Sequence, residues 1–348
     1  MQTGLNLVDL AKKIEANKQL KHDLIAETAA VRMEIDADGR PGLLIPDQGT
    51  FPIMPVAHDQ ISGRLNIPAR YYGRMQTEAP DLLAANVNRW FVENSEKRMI
   101  RTLGGDVRAF LSNRYQRIEN EEIASVVLPV LADIPEVSFV SAEITDRRMY
   151  IQAVTPRLQG EVRVGDVVQA GVIISNSEVG LGSVTIAPMV YRLACLNGMI
   201  TSDSRFTARH VGARIDNTEA LWSDEAKRAD DRAVLLKVRD VVRAAVSEVT
   251  FSDTLDRMRG LTQIRVKGDP AAAVEVLAKK VGATEDERGG ILRALIEGGD
   301  LSGWGLINAI THQAHTAKNY DRCVEFEVMG GQLLNLPKKE WAEILEAA

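Results

Sequence analysis

The stretch GVIISNSEVGLGSVTIAPMVYRLACLNGMITSDSRFTARHVG, residues 171–212, decides the fold of this chain. Apolar runs flank the turn Asn176-Ser177-Glu178, and a second turn is expected at Asn197-Gly198. Val184, Thr185 and Ile186 follow Gly180 and Gly182, so strand follows these glycines and they read as turn or bulge residues. A phosphate-cradling loop would need a helix carrying Lys-Ser or Lys-Thr after them. Strands are therefore expected near 167–175, 182–194 and 204–211, joined by short connections. Short connections favour an antiparallel sheet over βαβ units.

Upstream, the same hairpin grammar recurs. Val31, Met33 and Ile35 alternate before Asp38-Gly39, and the chain returns through Leu43 to Ile45. Gly104-Gly105-Asp106 turns a second pair of apolar runs, and Thr145-Asp146-Arg147 a third. Leu5, Val8, Leu10, Ile14, Leu20, Leu24 and Ile25 sit at helical spacing, which predicts one or two helices over residues 5–30. Three more are expected over 55–95, punctuated by Pro68 and Pro80, and another over 121–132 with Pro129 kinking or ending it.

Downstream of Asn217 the composition turns helical. One long helix is expected through TEALWSDEAKRADDRAVLLKVRDVVRAAVSEV, then shorter ones near 252–259, 270–280, 284–297, 304–317 and 338–347. VEFEVMGGQLLNL reads as helix or strand. The fold class is thus α+β: an antiparallel sheet of hairpins packed with helices, followed by an all-helical C-terminal third. The expected organisation is an α+β domain over 1–216 and a helical region over 217–348 that can pack back on the sheet as one domain.

With 348 residues, 45% hydrophobic and 26% charged, the chain can bury a sizeable core unaided. Its two cysteines, Cys195 and Cys323, lie far apart in apolar surroundings, as reduced thiols do. No signal-peptide core and no membrane-length apolar run is present, so a cytoplasmic protein without a membrane partner is expected. The net charge of -6 argues against a generally basic coat. Yet Lys97 to Arg117 holds six basic residues and one acid, a net of +5, and Pro188 to Arg214 a net of +3. Local clusters, more than totals, steer a polyanion. Arg70-Tyr71, Arg114-Tyr115 and Tyr191-Arg192 set guanidinium beside phenol, with Trp90, Phe110 and Phe206 near other basic residues. Single strands are held this way, by aromatic faces and phosphate-tracking arginines. The plain alternative is core tyrosines and salt-bridged arginines.

Other constellations are thinner. His312 and His315 share a helix face near Asp321 and Cys323, but a second ligand pair at standard zinc spacing is missing. Cys195 with His210 would make a thiol and base, without a separate orienting acid. Glu178, the only acid between Asp166 and Asp203, accepts from a turn amide, pairs with an arginine, or serves as a lone metal ligand.

VRAFLSNRYQRIEN, GVIISNSEVGLGSVTI, YRLACLNGMI, ARHVG, NAITHQAH and GGQLL together resemble the phage- and plasmid-borne family known as domain of unknown function 932, over roughly residues 50–335. Ser112, Arg114, Tyr115, Asn176, Ser177, Glu178, Gly180, Arg192, Cys195, Asn197, Gly198, Arg209 and His210 stand at the matching positions. The resemblance implies a mobile-element origin and brings no enzymatic activity. In outline the chain is also similar to phage single-strand annealing proteins, which form rings or filaments around a shared DNA groove.

The expectation is a non-enzymatic, homo-oligomeric phage or plasmid protein that binds single-stranded DNA, with strand annealing in recombination or replication. Arg98, Arg101, Arg108, Arg114, Arg192, Arg205 and Arg209 would meet phosphates, and Tyr115 and Tyr191 would stack bases. No catalytic residue, metal or cofactor is expected. Two alternatives stand beside it: an enzyme, hydrolase or nucleic-acid modifying, centred on Glu178, Cys195 and His210, and an interaction protein countering host defence.

Overall fold

A computed structural model of the chain describes residues 2–201, 206–208 and 224–346. The N-terminal third supplies α1 (Leu7–Leu20), β1 (Lys21–Glu27), β2 (Arg32–Ile35), β3 (Pro41–Ile45), β4 (Gly49–Pro52), α2 (Pro55–Arg64), α3 (Ala69–Glu78), α4 (Pro80–Glu93), β5 (Lys97–Leu103) and β6 (Asp106–Ser112). Two three-stranded sheets form, in the orders β1-β5-β6 and β2-β3-β4. Between them lies a core of Met33, Leu43, Ile61, Met75, Leu83, Val87, Phe91, Ile100 and Phe110. Pro55 and Pro80 open α2 and α4, where the missing amide hydrogen costs nothing. Pro68 sits one position earlier, as the N-cap of α3.

The helix expected to continue to residue 30 stops at Leu20. Leu24 and Ile25 belong to β1, which runs antiparallel to β5 from Lys21 opposite Leu103 to Glu27 opposite Lys97. Over so short a run helical and strand spacing overlap, and a partner more than 70 residues away decides between them.

Helix α5 (Asn120–Ala132) leads into the central antiparallel sheet of β7 (Ser138–Ile144), β8 (Met149–Glu161), β9 (Val167–Asn176), β10 (Val184–Arg192) and β11 (Asn197–Ile200), in that spatial order, with β12 (Phe206–Ala208) also on β10. Asn197-Gly198 is not a turn but the start of β11. The chain reverses through Leu193–Leu196 instead, with Leu196 in the left-handed region at φ 52°. Gly180 and Gly182 do occupy a turn, at φ 75° and 131°, and the Arg148 guanidinium fills the space a Gly182 Cβ would need.

The C-terminal chain forms α6 (Asp224–Ala245), α7 (Glu248–Thr262), α8 (Pro270–Val281), α9 (Glu285–Gly298), α10 (Gly303–His312), α11 (Tyr320–Leu334) and α12 (Lys338–Glu346). The ambiguous segment VEFEVMGGQLLNL is helix, within α11 and the residues just after it. Its Gly331 lies so close to β11 that a Cβ would sit 1.8 Å from the Ile200 carbonyl oxygen.

These helices cover the central sheet. Val172 and Ile174 of β9 pack with Leu10 of α1, Val127 and Leu131 of α5, and Val238 and Val242 of α6. Ile173, pointing the other way, packs with Tyr320 and Val324 of α11. Val168, Ala170 and Met199 pack with Leu255, Trp304, Ile307 and Phe326. Burial on both faces explains why β9 is an almost unbroken apolar run. The class is α+β. The boundary expected near Asp216 lies outside the described residues.

Candidate functional site

The turn after β9 is where the β1-β5-β6 sheet meets the central one. Asn176 Nδ2 donates to the Ile118 carbonyl and to Asn120 Oδ1, both at 2.9 Å. Ser177 Oγ donates to the Arg147 carbonyl at 2.8 Å, and Tyr115 OH to the Ser177 carbonyl at 3.0 Å. The turn therefore has one geometry, and it delivers Glu178, 5% exposed, into a cluster of charges.

Glu178 Oε1 accepts from Lys21 Nζ at 2.5 Å and from the Asn120 backbone amide at 2.7 Å, while Oε2 accepts from Arg108 Nη1 at 2.7 Å. Asn120 is the first residue of α5, so its amide has no partner within the helix and favours an anion. The Glu178 carbonyl accepts from Arg101 Nη1 at 2.8 Å. Arg101, 1% exposed, also holds Asp23 at 2.8 Å and pairs with Glu119. Lys21 reaches Glu119 at 3.1 Å and Glu121 at 2.8 Å, and Arg117 reaches Asp23 at 3.1 Å. Four cations and four carboxylates form one hub joining β1, β5, β6, α5 and the β9 turn.

The charge states follow from the contacts. Burial works against the Glu178 charge, but Arg108 and Lys21 outweigh it and hold its carboxyl down at about 2. Burial likewise opposes the Lys21 charge, and Glu178 and Glu119 overcome it and raise the ammonium. Burial leads in pushing Glu119 up, with the Glu178 charge adding to it against Arg101. A carboxylate held so low is no proton donor near neutrality, and a raised ammonium is no base. Glu178 and Lys21 therefore both carry their charges near neutrality.

The other end of the β9–β10 hairpin carries a second arrangement. Asp166 takes a forked contact from Arg192, Nε at 2.5 Å and Nη2 at 3.0 Å, and accepts from Trp304 Nε1 at 2.9 Å. Arg192 Nη1 donates to Cys195 Sγ at 2.9 Å. His315 Nε2 lies 2.6 Å from Asn197 Oδ1. Cys323 Sγ accepts from the Gln2 amide at 3.4 Å, and Asp321 accepts from Tyr150 OH at 2.8 Å. Of the residues that suggested zinc, His315, Asp321 and Cys323 are each held by a different partner, and the His312 ring lies 5.2 Å from that of His315. Thr185 pairs with Ser175 and Arg192 with Val168, so Glu178 and Cys195 sit at opposite ends of the hairpin, with no shared pocket.

Of the predicted nucleic-acid contacts, Arg101 and Arg108 lie inside the hub, and Arg192 is locked to Asp166. Arg98 pairs with Glu96 at 2.8 Å and lies over the Phe110 ring at 5.6 Å. Arg114 is exposed, whereas Tyr115 and Tyr191 are half-buried. Arg205, Arg209 and His210 lie outside the described residues. Sequence reading missed Lys21, Asp23, Glu119 and Glu121. The one local signal was the acidic run Glu119-Asn120-Glu121-Glu122 at a helix start, where Glu122 accepts from the Glu119 amide at 2.9 Å. Tyr71 and Trp90, noted in the sequence as aromatics near basic residues, were not among the expected contacts. They are 47% and 40% exposed, on α3 and α4, beside exposed Arg70, Arg74 and Arg89.

Fold and site together define an α+β protein whose β1-β5-β6 sheet is clamped to a central antiparallel sheet by a buried ionic hub. The chain belongs to the family described as Domain of unknown function (DUF932), which it matches over residues 109–318. That span contains Glu119, Glu121, Glu178 and the central sheet, whereas Lys21, Arg101, Arg108 and α3–α4 precede it. No curated protein and no solved structure matches the chain.

Proposed function

We propose that this chain binds single-stranded nucleic acid, DNA first, without catalysing a reaction, and that the contact face is the outer side of α3 and α4. One observation carries the reading: two large aromatic rings, Tyr71 and Trp90, stand open to solvent, each next to exposed guanidinium groups. An aromatic face stacks any base, and a neighbouring arginine takes the phosphate. The two helices are joined by Ala79 alone, and Asn86 of α4 contacts Met75 of α3, so α4 returns alongside α3 and the two aromatic positions fall near one another. Arg74 and Arg89 are paired only with Glu78 and Glu93 one turn on, exposed contacts that a phosphate displaces at small cost.

Strand annealing by several copies, on a phage or plasmid, is the finer form of this proposal. Fluorescence anisotropy with a labelled oligothymidine tests the coarse form. Binding is expected at low salt, weakening steeply as salt rises. Tyr71→Ala with Trp90→Ala should lower affinity by tenfold or more, since each stacked base is worth about 1–3 kcal/mol. No binding at low salt, or affinity unmoved by the double substitution, refutes it. Light scattering with and without the oligonucleotide, followed by an annealing assay, tests the finer form.

A further inference from the structure

Strand β1 forms the outer edge of the β1-β5-β6 sheet. Its seven residues include no proline and no glycine, and its register with β5 runs without a break. The bonds flanking it fix which backbone groups face inward: the Gly104 amide donates to the Leu20 carbonyl, and the Thr28 amide to the Glu96 carbonyl. Hydrogen-bonded pairs recur at every second residue of an antiparallel ladder. His22, Leu24 and Ala26 therefore bond β5, and Lys21, Asp23, Ile25 and Glu27 turn their backbone groups outward. The Lys21 amide is taken by the Asn17 carbonyl, and the Glu27 carbonyl opens the 3-10 turn Thr28–Ala30. That leaves the amides of Asp23, Ile25 and Glu27 and the carbonyls of Lys21, Asp23 and Ile25, none of which has a partner among the described residues.

Three other edges are closed by the chain itself. The Leu5 amide caps β7 at the Ala142 carbonyl, Asn88 of α4 bonds both the amide and the carbonyl of Met33 on β2, and α11 lies against Gly198 and Ile200 of β11. The β1 edge is open, with Ile25 56% exposed along it and Leu20 54% exposed just before it. Such an edge is a template for another strand. The residues of β1 fit a second β1. Paired antiparallel with Leu24 opposite Leu24 of a second copy, Lys21 faces Glu27 and Asp23 faces Ile25. The outward amides then meet the outward carbonyls, Glu27 donating to Lys21, Asp23 to Ile25 and Ile25 to Asp23, and no outward group of either copy is left over. Opposite charges face each other at Lys21 and Glu27. The neighbouring registers fail. Centring on Ile25 sets Asp23 against Glu27 and calls on the Glu27 carbonyl already used; centring on Asp23 sets Asp23 against itself and leaves the Glu27 amide unmet. Like charges directly opposite destabilise a strand pair.

We propose that β1 is a dimer contact: two copies of this chain join their β1 edges antiparallel about a two-fold axis at Leu24, making one continuous sheet in the order β6-β5-β1-β1-β5-β6. Lys21, Asp23, Ile25 and Glu27 share the hub face of that sheet, so each copy's Glu27 comes to the rim of the other's hub, on the face where Arg117, 55% exposed, adds positive charge. The contact does not rest on strand binding at α3 and α4, and its assay contains no nucleic acid.

Sedimentation velocity of the full chain over a series of concentrations tests this. The wild type should pass from monomer to dimer as the concentration rises. Ile25→Pro removes an outward amide and no bond to β5, a position where an edge strand tolerates proline. It deletes one inter-copy bond from each chain, so the dimer dissociation constant should rise about tenfold or more. Glu27→Lys, at an exposed position, sets like charges opposite at Lys21 and should also weaken the dimer. Circular dichroism melts check that both variants stay folded. Disulfide formation in a chain carrying Cys195→Ser reads the register. Leu24→Cys should cross-link two copies, because residues opposite each other in a non-hydrogen-bonded pair have Cα atoms about 4.5 Å apart. Ile25→Cys, opposite Asp23, should not. A wild-type chain that stays monomeric at every concentration, as it would if the edge served a strand of another protein, overturns the proposal. So does a dimer indifferent to Ile25→Pro and Glu27→Lys, or one that cross-links through position 25 in preference to 24.

Discussion

Replacing Glu178 by Gln removes one charge at nearly constant volume from the centre of the hub. Lys21 keeps Glu119 and Glu121, but Arg108 loses its one charged partner, and because Gln offers one oxygen and one NH2, either Arg108 or Lys21 with the Asn120 amide then faces a donor. Breaking a buried pair from one side costs about 3–5 kcal/mol. At roughly 2.1 cal/mol/K per residue, the unfolding entropy of the 348-residue chain is about 0.7 kcal/mol/K. The melting temperature should therefore fall by about 4–7 °C. Arg108→Met alone leaves Glu178 with Lys21 and the Asn120 amide, a milder loss. In the double variant the orphaned cation is gone, so the two effects should miss additivity by about 2 kcal/mol. The pH dependence carries a matching sign. Glu178 is held at about 2, below the ordinary 4.5, so the folded state binds fewer protons than the unfolded chain. Its contribution is complete above about pH 4.5 and is lost as the pH falls towards 2. Calorimetric melts of the four proteins across pH 2–7 check this. A Glu178→Gln loss under about 1 kcal/mol, or strict additivity with Arg108→Met, refutes the view that the hub is a buried, coupled unit.

Glu327, on α11, is fully buried; Gln152 Nε2 donates to its Oε2 at 2.7 Å, and its carboxyl also lies against the Gly198 backbone. Burial pushes this carboxyl up to about 7, so its contribution to stability is complete below pH 4.5 and is lost as the pH rises through 7. Glu327→Gln should abolish that loss and exceed the wild type in urea midpoint at pH 8. Gly331→Ala should cost about 3 kcal/mol or more, since the new Cβ meets the Ile200 backbone oxygen rather than a side chain that can move. Gly289→Ala in α9, where nothing lies within 4 Å, should instead stabilise by about 0.5–1 kcal/mol in the same urea titration.

Alternation and turn chemistry wrote the hairpins into the sequence. Asp38-Gly39, Gly104-Gly105 and Thr145-Asp146-Arg147 each sit between their paired strands, since a tight turn and its flanks are neighbours in the chain. The helices around Leu83, Val87 and Phe91, and those after Asp224, were legible for the same reason of short-range periodicity. Legibility ended where a distant partner decided. Leu24 and Ile25 fit a helix until β5 pairs with them, and VEFEVMGGQLLNL fits a strand until β11 requires a glycine-faced helix against it.

The charges divide in the same way. From the sequence alone, Lys97–Arg117 is a basic run of net +5 and Glu178 an isolated acid. Folding brings Glu119 and Asp23 onto Arg101, and Lys21 and Arg108 onto Glu178, across separations of 18 to 157 residues. The Asn176-Ser177-Glu178 turn was marked by its residues, but its role came from what converged on it. Local sequence sets backbone preference through steric and turn effects that act over a few residues. Electrostatic pairing acts through space, so only the tertiary structure decided which arginines are buried with acids and which aromatic rings remain open to solvent.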